Sequence, residues 1–170
     1  LAAVALVEYA PEGVDLVRVL HLVAIHDLVE IDAGDTFAYD DAGHETKVAR
    51  ELAAAERIFG LLPPDQAAEF RQCWNEFEAR ETPDARYANA LDRLQPLLQN
   101  MKAGGGSWHA PEVTRAKVLR RMAPVADALP AVWPLVVEII EQACAAGTLA
   151  AGDDDTGDDV RPPSAVNSQN

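Results

Sequence analysis

Apolar residues return every three or four positions through most of the chain, and short clusters of Gly, Pro and polar residues break the runs. That period predicts helices joined by short loops. Leu1 to Tyr9 has the pattern of a helix end, and Ala10-Pro11-Glu12-Gly13 that of a turn. From Val14 to about Ala33, the spacing of Val17, Leu20, Ala24, Leu28 and Ile31 predicts one helix with these side chains buried, stopped at Gly34. Polar residues from Asp35 to Gly43 predict a loop. A helix from Glu45 to Phe59 is expected to turn Val48, Leu52, Ala55 and Phe59 inward and to end at Gly60. Pro63-Pro64 opens the next, which carries Ala68, Trp74 and Phe77 and runs to Ala79.

Thr82-Pro83 suits an N-cap followed by the first helical position. A long helix through Tyr87, Leu91, Leu94, Leu98 and Met101 follows. Within it Pro96 has no N–H to offer the carbonyl of Asp92, so a bend is expected there, opening space around that carboxylate. Ala103 to Ala110, with Gly104-Gly105-Gly106, is expected to be a mobile loop. Pro111 marks the start of a helix with Val113, Leu119 and Met122, and Pro130 to Ala146 is the last, closed by Gly147. No segment alternates apolar and polar residues between turn signals, which argues against a sheet. The fold class expected is all-α, a compact multi-helix bundle of roughly six or seven helices.

Composition refines this picture. At 170 residues and 49% apolar, the chain suffices for one domain with a real core, expected over residues 1–150. Residues 151–170 form an acidic, then Pro/Ser/Asn-rich tail expected to be disordered. The formal net charge is −14; the tail's five Asp and one Arg contribute −4 and leave −10 on the body. Such a field repels polymeric nucleic acid but not a small phosphate ester held beside a cation. Cys73 and Cys144 are too few for a disulfide framework. They fit a reducing compartment, and with no membrane span or secretory signal in view the expected location is cytoplasmic. The first residue is Leu1 rather than Met, which predicts residues upstream of it.

Candidate chemistry concentrates between Ile25 and Asp35. His26, Asp27, Glu30, Asp32 and Asp35 lie in or beside a strongly apolar helix, where carboxylates are costly unless paired or bound to a cation. His26 and Glu30 share a face at i,i+4, Asp27 and Glu30 are neighbours at i,i+3, and Asp35 follows the helix end. A His-Asp pair on a helix is more often a surface or capping feature, yet one imidazole among several carboxylates also suits Mn, Fe, Co, Ni or Zn.

The adjacent His26-Asp27 resembles the signature of HD-domain phosphohydrolases. His26-Asp27-Leu28-Val29-Glu30 with Gly34-Asp35 is similar to the 5'-deoxynucleotidase branch of that family. The similarity extends through Ala54-Ala55-Glu56-Arg57-Ile58-Phe59, Leu61-Leu62-Pro63 and Ala90-Leu91-Asp92-Arg93-Leu94-Gln95-Pro96, and weakly to Gly105-Gly106-Ser107-Trp108. The resemblance implies an HD-domain bundle that binds one divalent transition metal through His26, Asp27 and Asp92, with Glu30 and Asp35 as catalytic carboxylates. It implies hydrolysis of a nucleoside 5'-monophosphate, chiefly a deoxy form, to nucleoside and phosphate. It also implies a further metal-binding His on a preceding helix. No residue here matches it, and His21, five residues before His26 on the same helix, cannot replace it. The expectation is an N-terminal helix cut short.

Two other readings stand beside this one: a degenerate HD domain that binds nucleotides or partners without cleaving them, and an HD enzyme acting on another phosphate ester. A homodimer is expected by resemblance alone. Trp133, Val136, Val137 and Ile140 are candidates for its interface, with burial in the monomer core as the simpler account. Arg18, Lys47 and Arg93 are candidate phosphate contacts that spacing alone does not separate. Trp74, Trp108 and Trp133 are candidate stacking surfaces that more often belong to a core. His44 and Glu45 suit a solvated helix entry, and His109 a loop.

Overall fold

The computed structural model describes residues 1–35, 37–39 and 41–152, with backbone alone for 41–45. The tail beyond residue 152 therefore lies outside the described residues. Helices α1 (Ala2–Ala5), α2 (Leu16–Ile25), α3 (Glu30–Ala33), α4 (Asp41–Phe59), α5 (Pro64–Ala79), α6 (Pro83–Lys102), α7 (Arg115–Arg121), α8 (Ala123–Ala128) and α9 (Trp133–Ala145) follow one another. Short 3-10 turns span Val7–Tyr9, His26–Val29 and Gly106–His109. The described residues contain no strand, only an isolated bridge between Thr114 and Ala150, as the period-3.6 pattern predicts. None of their helices is long and apolar enough to cross a membrane.

Helix α6 is the axis of the bundle and packs against α1, α2, α5, α8 and α9. Its first half is largely buried, with Ala85, Tyr87, Ala88, Asn89, Ala90 and Leu91 in near succession and Arg86 alone exposed among them. The small Ala side chains let neighbouring helices approach closely, while Leu94 and Leu97 continue the core. Full burial of a side chain the size of Leu22 or Leu97 contributes about 1.5–3 kcal/mol. Tyr87 donates its hydroxyl to the carbonyl of Ala3 at 3.1 Å, fastening α1 to α6. The helix begins where Thr82 caps it, Oγ1 accepting from the Ala85 N–H, and it continues unbroken through Pro96.

Four expectations need correction. The stretch from Val14 to Ala33 is not one helix: α2 gives way to a 3-10 turn at His26 and resumes as α3. Its buried face is Val19, Leu22, Ile25, Val29 and Ala33, whereas Val17 is 62% exposed and Ile31 73%. Nearly every position there is apolar, so two stripes fit a helical period equally, and the 3-10 turn shifts the phase between them. Helix α4 starts at Asp41, earlier than expected, and turns Ala54, Ala55, Phe59 and Glu51 inward, leaving Val48 and Leu52 exposed. Glu51 tolerates burial because Lys47 pairs with it at 3.3 Å.

The third correction concerns Ala103 to Ala110, which is folded. Gly104, Gly105 and Gly106 have φ of 67°, 117° and 51°, and the turn they form seats Trp108 in the core. Gly105 has a φ that side chains rarely adopt, and a Cβ there would come within 3.1 Å of the Thr148 carbonyl oxygen, so the turn favours glycine at this position. Pro111 likewise does not open a helix; Thr114 caps α7. Val136 and Ile140 are fully buried, which places them in the monomer core.

One polar tie sets the geometry between α2, α5 and α6. Glu76 accepts from Arg18 Nε at 3.0 Å and Nη2 at 2.6 Å, and from Thr82 Oγ1 at 2.7 Å. Burial pushes its carboxyl up, but the hydrogen bonds from Thr82 and Arg18 outweigh this and hold it below the ordinary value. A depressed carboxyl gives its full stabilisation above the unfolded pKa and loses it as pH falls through the folded one. Glu76→Gln is therefore expected to destabilise the chain by about 1–2 kcal/mol at neutral pH. The difference from wild type should shrink as pH falls below about 4. Urea melts across pH check both; a difference that grows in acid contradicts the tie.

Candidate functional site

The break between α2 and α3 creates the site. Helix α2 ends at Ile25, and the His26 N–H still closes onto the carbonyl of Leu22. The same carbonyl lies 3.2 Å from His26 Nδ1. A carbonyl can only accept, so Nδ1 carries the proton and the other ring nitrogen, Nε2, is left to face the interior. The ring stacks on Phe77 of α5, centroids 4.0 Å apart. Phe77 is held in turn by Asn89 of α6, whose Nδ2 donates to the Phe77 carbonyl at 2.8 Å. Imidazole orientation thus follows from contacts with three helices.

His26 Nε2 is buried and without a hydrogen-bond partner. It lies 3.0 Å from Asp27 Oδ1 and 3.5 Å from Asp92 Oδ1, which comes from α6. One ligand atom from each of His26, Asp27 and Asp92 falls within 4.8 Å of the others. An orphaned nitrogen aimed at two carboxylates on separate elements fits a divalent cation of the imidazole-and-carboxylate type. With no cation, burial disfavours a charged imidazole, but Asp92 and Asp27 outweigh burial and the His26 pKa is raised. Burial also opposes ionisation of Asp92, yet His26, Arg93 and Arg121 hold its carboxyl below the ordinary value.

The other carboxylates divide. Glu30 belongs to the cluster: burial, then Asp35 and Asp27, push its carboxyl up. In the 3-10 turn, residues three apart eclipse, which brings Asp27 and Glu30 onto one side. Asp35, just past the left-handed Gly34, lies at the edge of a cavity of about 230 Å³ walled by Phe37, Tyr39, Leu97, Trp108 and Met122, with Asn100 and Ser107 at its polar rim. Asp32 is drawn away to an ion pair with Arg57. Of the three phosphate candidates, Arg18 is committed to Glu76 and Lys47 to Glu51. Arg93 alone lies at the centre, 3.2 Å from Asp92 Oδ2. Trp74 is core, with Arg71 over its ring, and His109 is exposed beside Gly104. The side chain of His44 lies outside the described residues.

Phe77, Asn89, Tyr39 and Arg121 take part in this site without having been singled out as site residues from sequence. Asn89, three residues before Asp92 and flanked by Ala88 and Ala90, was the one available signal.

A sequence model of the HD domain family matches residues 1–133. The chain is 50% identical to a predicted metal-dependent phosphohydrolase from Magnetospirillum magnetotacticum MS-1, whose crystal structure superposes with a TM-score of 0.80, covering 87% of this chain and 76% of that one. It is 33% identical over 82 residues to mouse 5'-deoxynucleotidase HDDC2, covering 48% of this chain and 41% of that protein. Over 86 residues it is 28% identical to the Schizosaccharomyces pombe 5'-deoxynucleotidase hdd1, covering 48% of this chain and 43% of that protein. The chain therefore spans less than half the length of these curated relatives.

Two substitutions separate direct from indirect support of the site. Asp27→Ala should abolish Co2+ binding, whereas Phe77→Leu, which leaves all three donors but removes the stacked ring, should weaken it about 10-fold. Calorimetric titration of folded variants checks this; equal affinity in Phe77→Leu and wild type removes Phe77 from the account.

Proposed function

The chain belongs to the HD-domain family, and from that premise we propose that it is a metal-dependent phosphohydrolase acting on a nucleoside 5'-monophosphate, chiefly a deoxy form. The observation that carries the reading is the buried, unpartnered Nε2 of His26 directed at Asp27 and Asp92. Similarity to the 5'-deoxynucleotidases of mouse and Schizosaccharomyces pombe and to a predicted metal-dependent phosphohydrolase supports it.

In this reading His26, Asp27 and Asp92 would hold one divalent transition metal, which would supply charge neutralisation and Lewis acidity at the phosphate. Uncatalysed hydrolysis of phosphate monoesters is among the slowest reactions in biology, so charge neutralisation has to supply much of the rate. Glu30 and Asp35 orient or deprotonate the attacking water, or protonate the departing 5'-oxygen. Attack makes the new P–O bond as the bond to the 5'-oxygen breaks, and the proton lost by water balances the one gained by the alcohol. Tyr39 and Trp108 offer apolar surface to the nucleoside in the cavity that Asp35 borders, and Asn100 and Ser107 offer hydrogen bonds. Asn100 and Ser107 are pre-set for this by their mutual hydrogen bonds at 3.0 and 3.1 Å.

The test is a panel of ribo- and deoxyribonucleoside monophosphates with Mn2+ or Co2+, reading released phosphate. Turnover is expected for 5'-monophosphates and not for 3'-monophosphates. Asp27→Ala should reduce it by at least about 1,000-fold, the scale of a lost electrostatic stabiliser, with an unchanged far-UV circular dichroism spectrum. The Asp27 side chain is 66% exposed, so its loss costs the fold little. Undiminished phosphate release by that variant would overturn the metal mechanism.

A further inference from the structure

Beyond the acidic cluster lies a second cavity, of about 330 Å³, with the opposite electrostatic character. Its walls include Arg80, Arg93, Lys117, Arg120 and Arg121. Five of the chain's 14 basic residues therefore meet at one hollow in a protein of net charge −14. They come from three elements. Arg80 is the C-cap of α5, Arg93 projects from the middle of α6, and Lys117, Arg120 and Arg121 follow one another along one side of α7.

Arg93 and Arg121 favour the ionised Asp92, and Arg120 and Arg121 suit the last turn of α7, but neither role calls for Arg80 and Lys117 in the same hollow. Lys117 with Arg120 at i,i+3 and with Arg121 at i,i+4 on α7 are like charges on neighbouring positions, which repel. Among the described residues none of Arg80, Lys117, Arg120 and Arg121 forms an ion pair, and Arg93 pairs with Asp92 alone. Arg80 is also the one described non-glycine residue with positive φ, at 55°, a helix-end conformation that favours glycine. Arg121 is steadied by the Tyr39 ring, 6.0 Å from its guanidinium, and Arg93 by burial, with 17% of its side chain exposed. Guanidinium groups fixed in this way are pre-organised to receive phosphate oxygens.

We infer that the Arg80–Arg93–Lys117–Arg120–Arg121 pocket binds a phosphate-bearing anion beside the His26–Asp27–Asp92 cluster and independently of any metal there. The phosphate has two sources: a second phosphate group on a substrate whose first lies at the cluster, or a free polyphosphate acting as an effector. Polymeric nucleic acid is a poor occupant, because the acidic body around the hollow repels a long charged strand. The inference goes beyond the hydrolase reading and stands without it. A chain that hydrolyses nothing can still bind the anion, and an active one can fail to.

The experiment is calorimetric titration of the whole chain with inorganic pyrophosphate in EDTA-containing buffer. Saturable one-to-one binding is expected, weakened at least 10-fold by the double variant Lys117→Glu/Arg120→Glu. Arg80→Gly provides a second variant that is expected to fold, since glycine suits its backbone, and should weaken binding several-fold. Displacement of pyrophosphate by a nucleoside 3',5'-bisphosphate but not by a 5'-monophosphate supports the pocket and identifies the substrate's second phosphate as its occupant. Displacement by neither supports the pocket with a free anion. Absence of binding, equal affinity in both variants, or binding only when Mn2+ replaces EDTA overturns the inference.

Discussion

A backbone carbonyl cannot donate a hydrogen bond, and the candidate site rests on that fact. Because Leu22 O lies against His26 Nδ1, the ring proton is fixed on that nitrogen and Nε2 is delivered to the carboxylates. That carbonyl accepts the last α-helical N–H of α2, from His26 itself, and also faces Nδ1; beyond it the chain tightens into a 3-10 turn in place of another α-helical turn. A continuous helix would distribute Asp27 and Glu30 differently around its axis. The irregularity that breaks the helix is thus what assembles imidazole and carboxylates on one side, and Phe77 and Asn89 hold the result in place.

Charge is segregated on a short length scale. Carboxylates crowd where His26, Asp27, Glu30, Asp35 and Asp92 meet, and basic side chains crowd on the far side of Arg93. Arg93 and Asp92, adjacent in sequence on α6 and 3.2 Å apart, form the boundary. The attraction between the clusters offsets part of the repulsion within each. The effect is felt at Asp92, where Arg93 and Arg121 both favour the ionised carboxylate that a cation requires. A protein of high negative charge can in this way present a phosphate ester with positive charge on more than one side, without a basic exterior.

The parts legible in sequence were those fixed by local chemistry. Thr82-Pro83 marked the start of α6, Gly34 and Gly60 marked helix ends, and His26, Asp27 and Asp92 stood out as polar groups in apolar surroundings. What sequence did not reveal was phase. In α2 a residue such as Val17 is as apolar as Val19, and only packing against α5 and α6 decides which one is buried. In α4 the bulkier Val48 and Leu52 looked like core, yet close approach to neighbouring helices selects Ala54 and Ala55. Arg93 could not be told from Arg18 because Glu76, which takes Arg18, lies 58 residues away in sequence, while Lys47 is taken by Glu51 one helical turn on.

The same principle explains why the basic pocket escapes a linear reading. Its residues are separated by up to 41 positions and none belongs to a motif, so each looks like an ordinary surface cation until α5, α6 and α7 bring them together. The candidate metal cluster, by contrast, takes two of its three members from adjacent positions, His26 and Asp27. Adjacency leaves a dipeptide that can be matched, and convergence from three elements leaves none. What distinguishes a site of the second kind is a group of like charges that the fold holds together and only partly neutralises, so that an ion of opposite charge relieves the remaining repulsion.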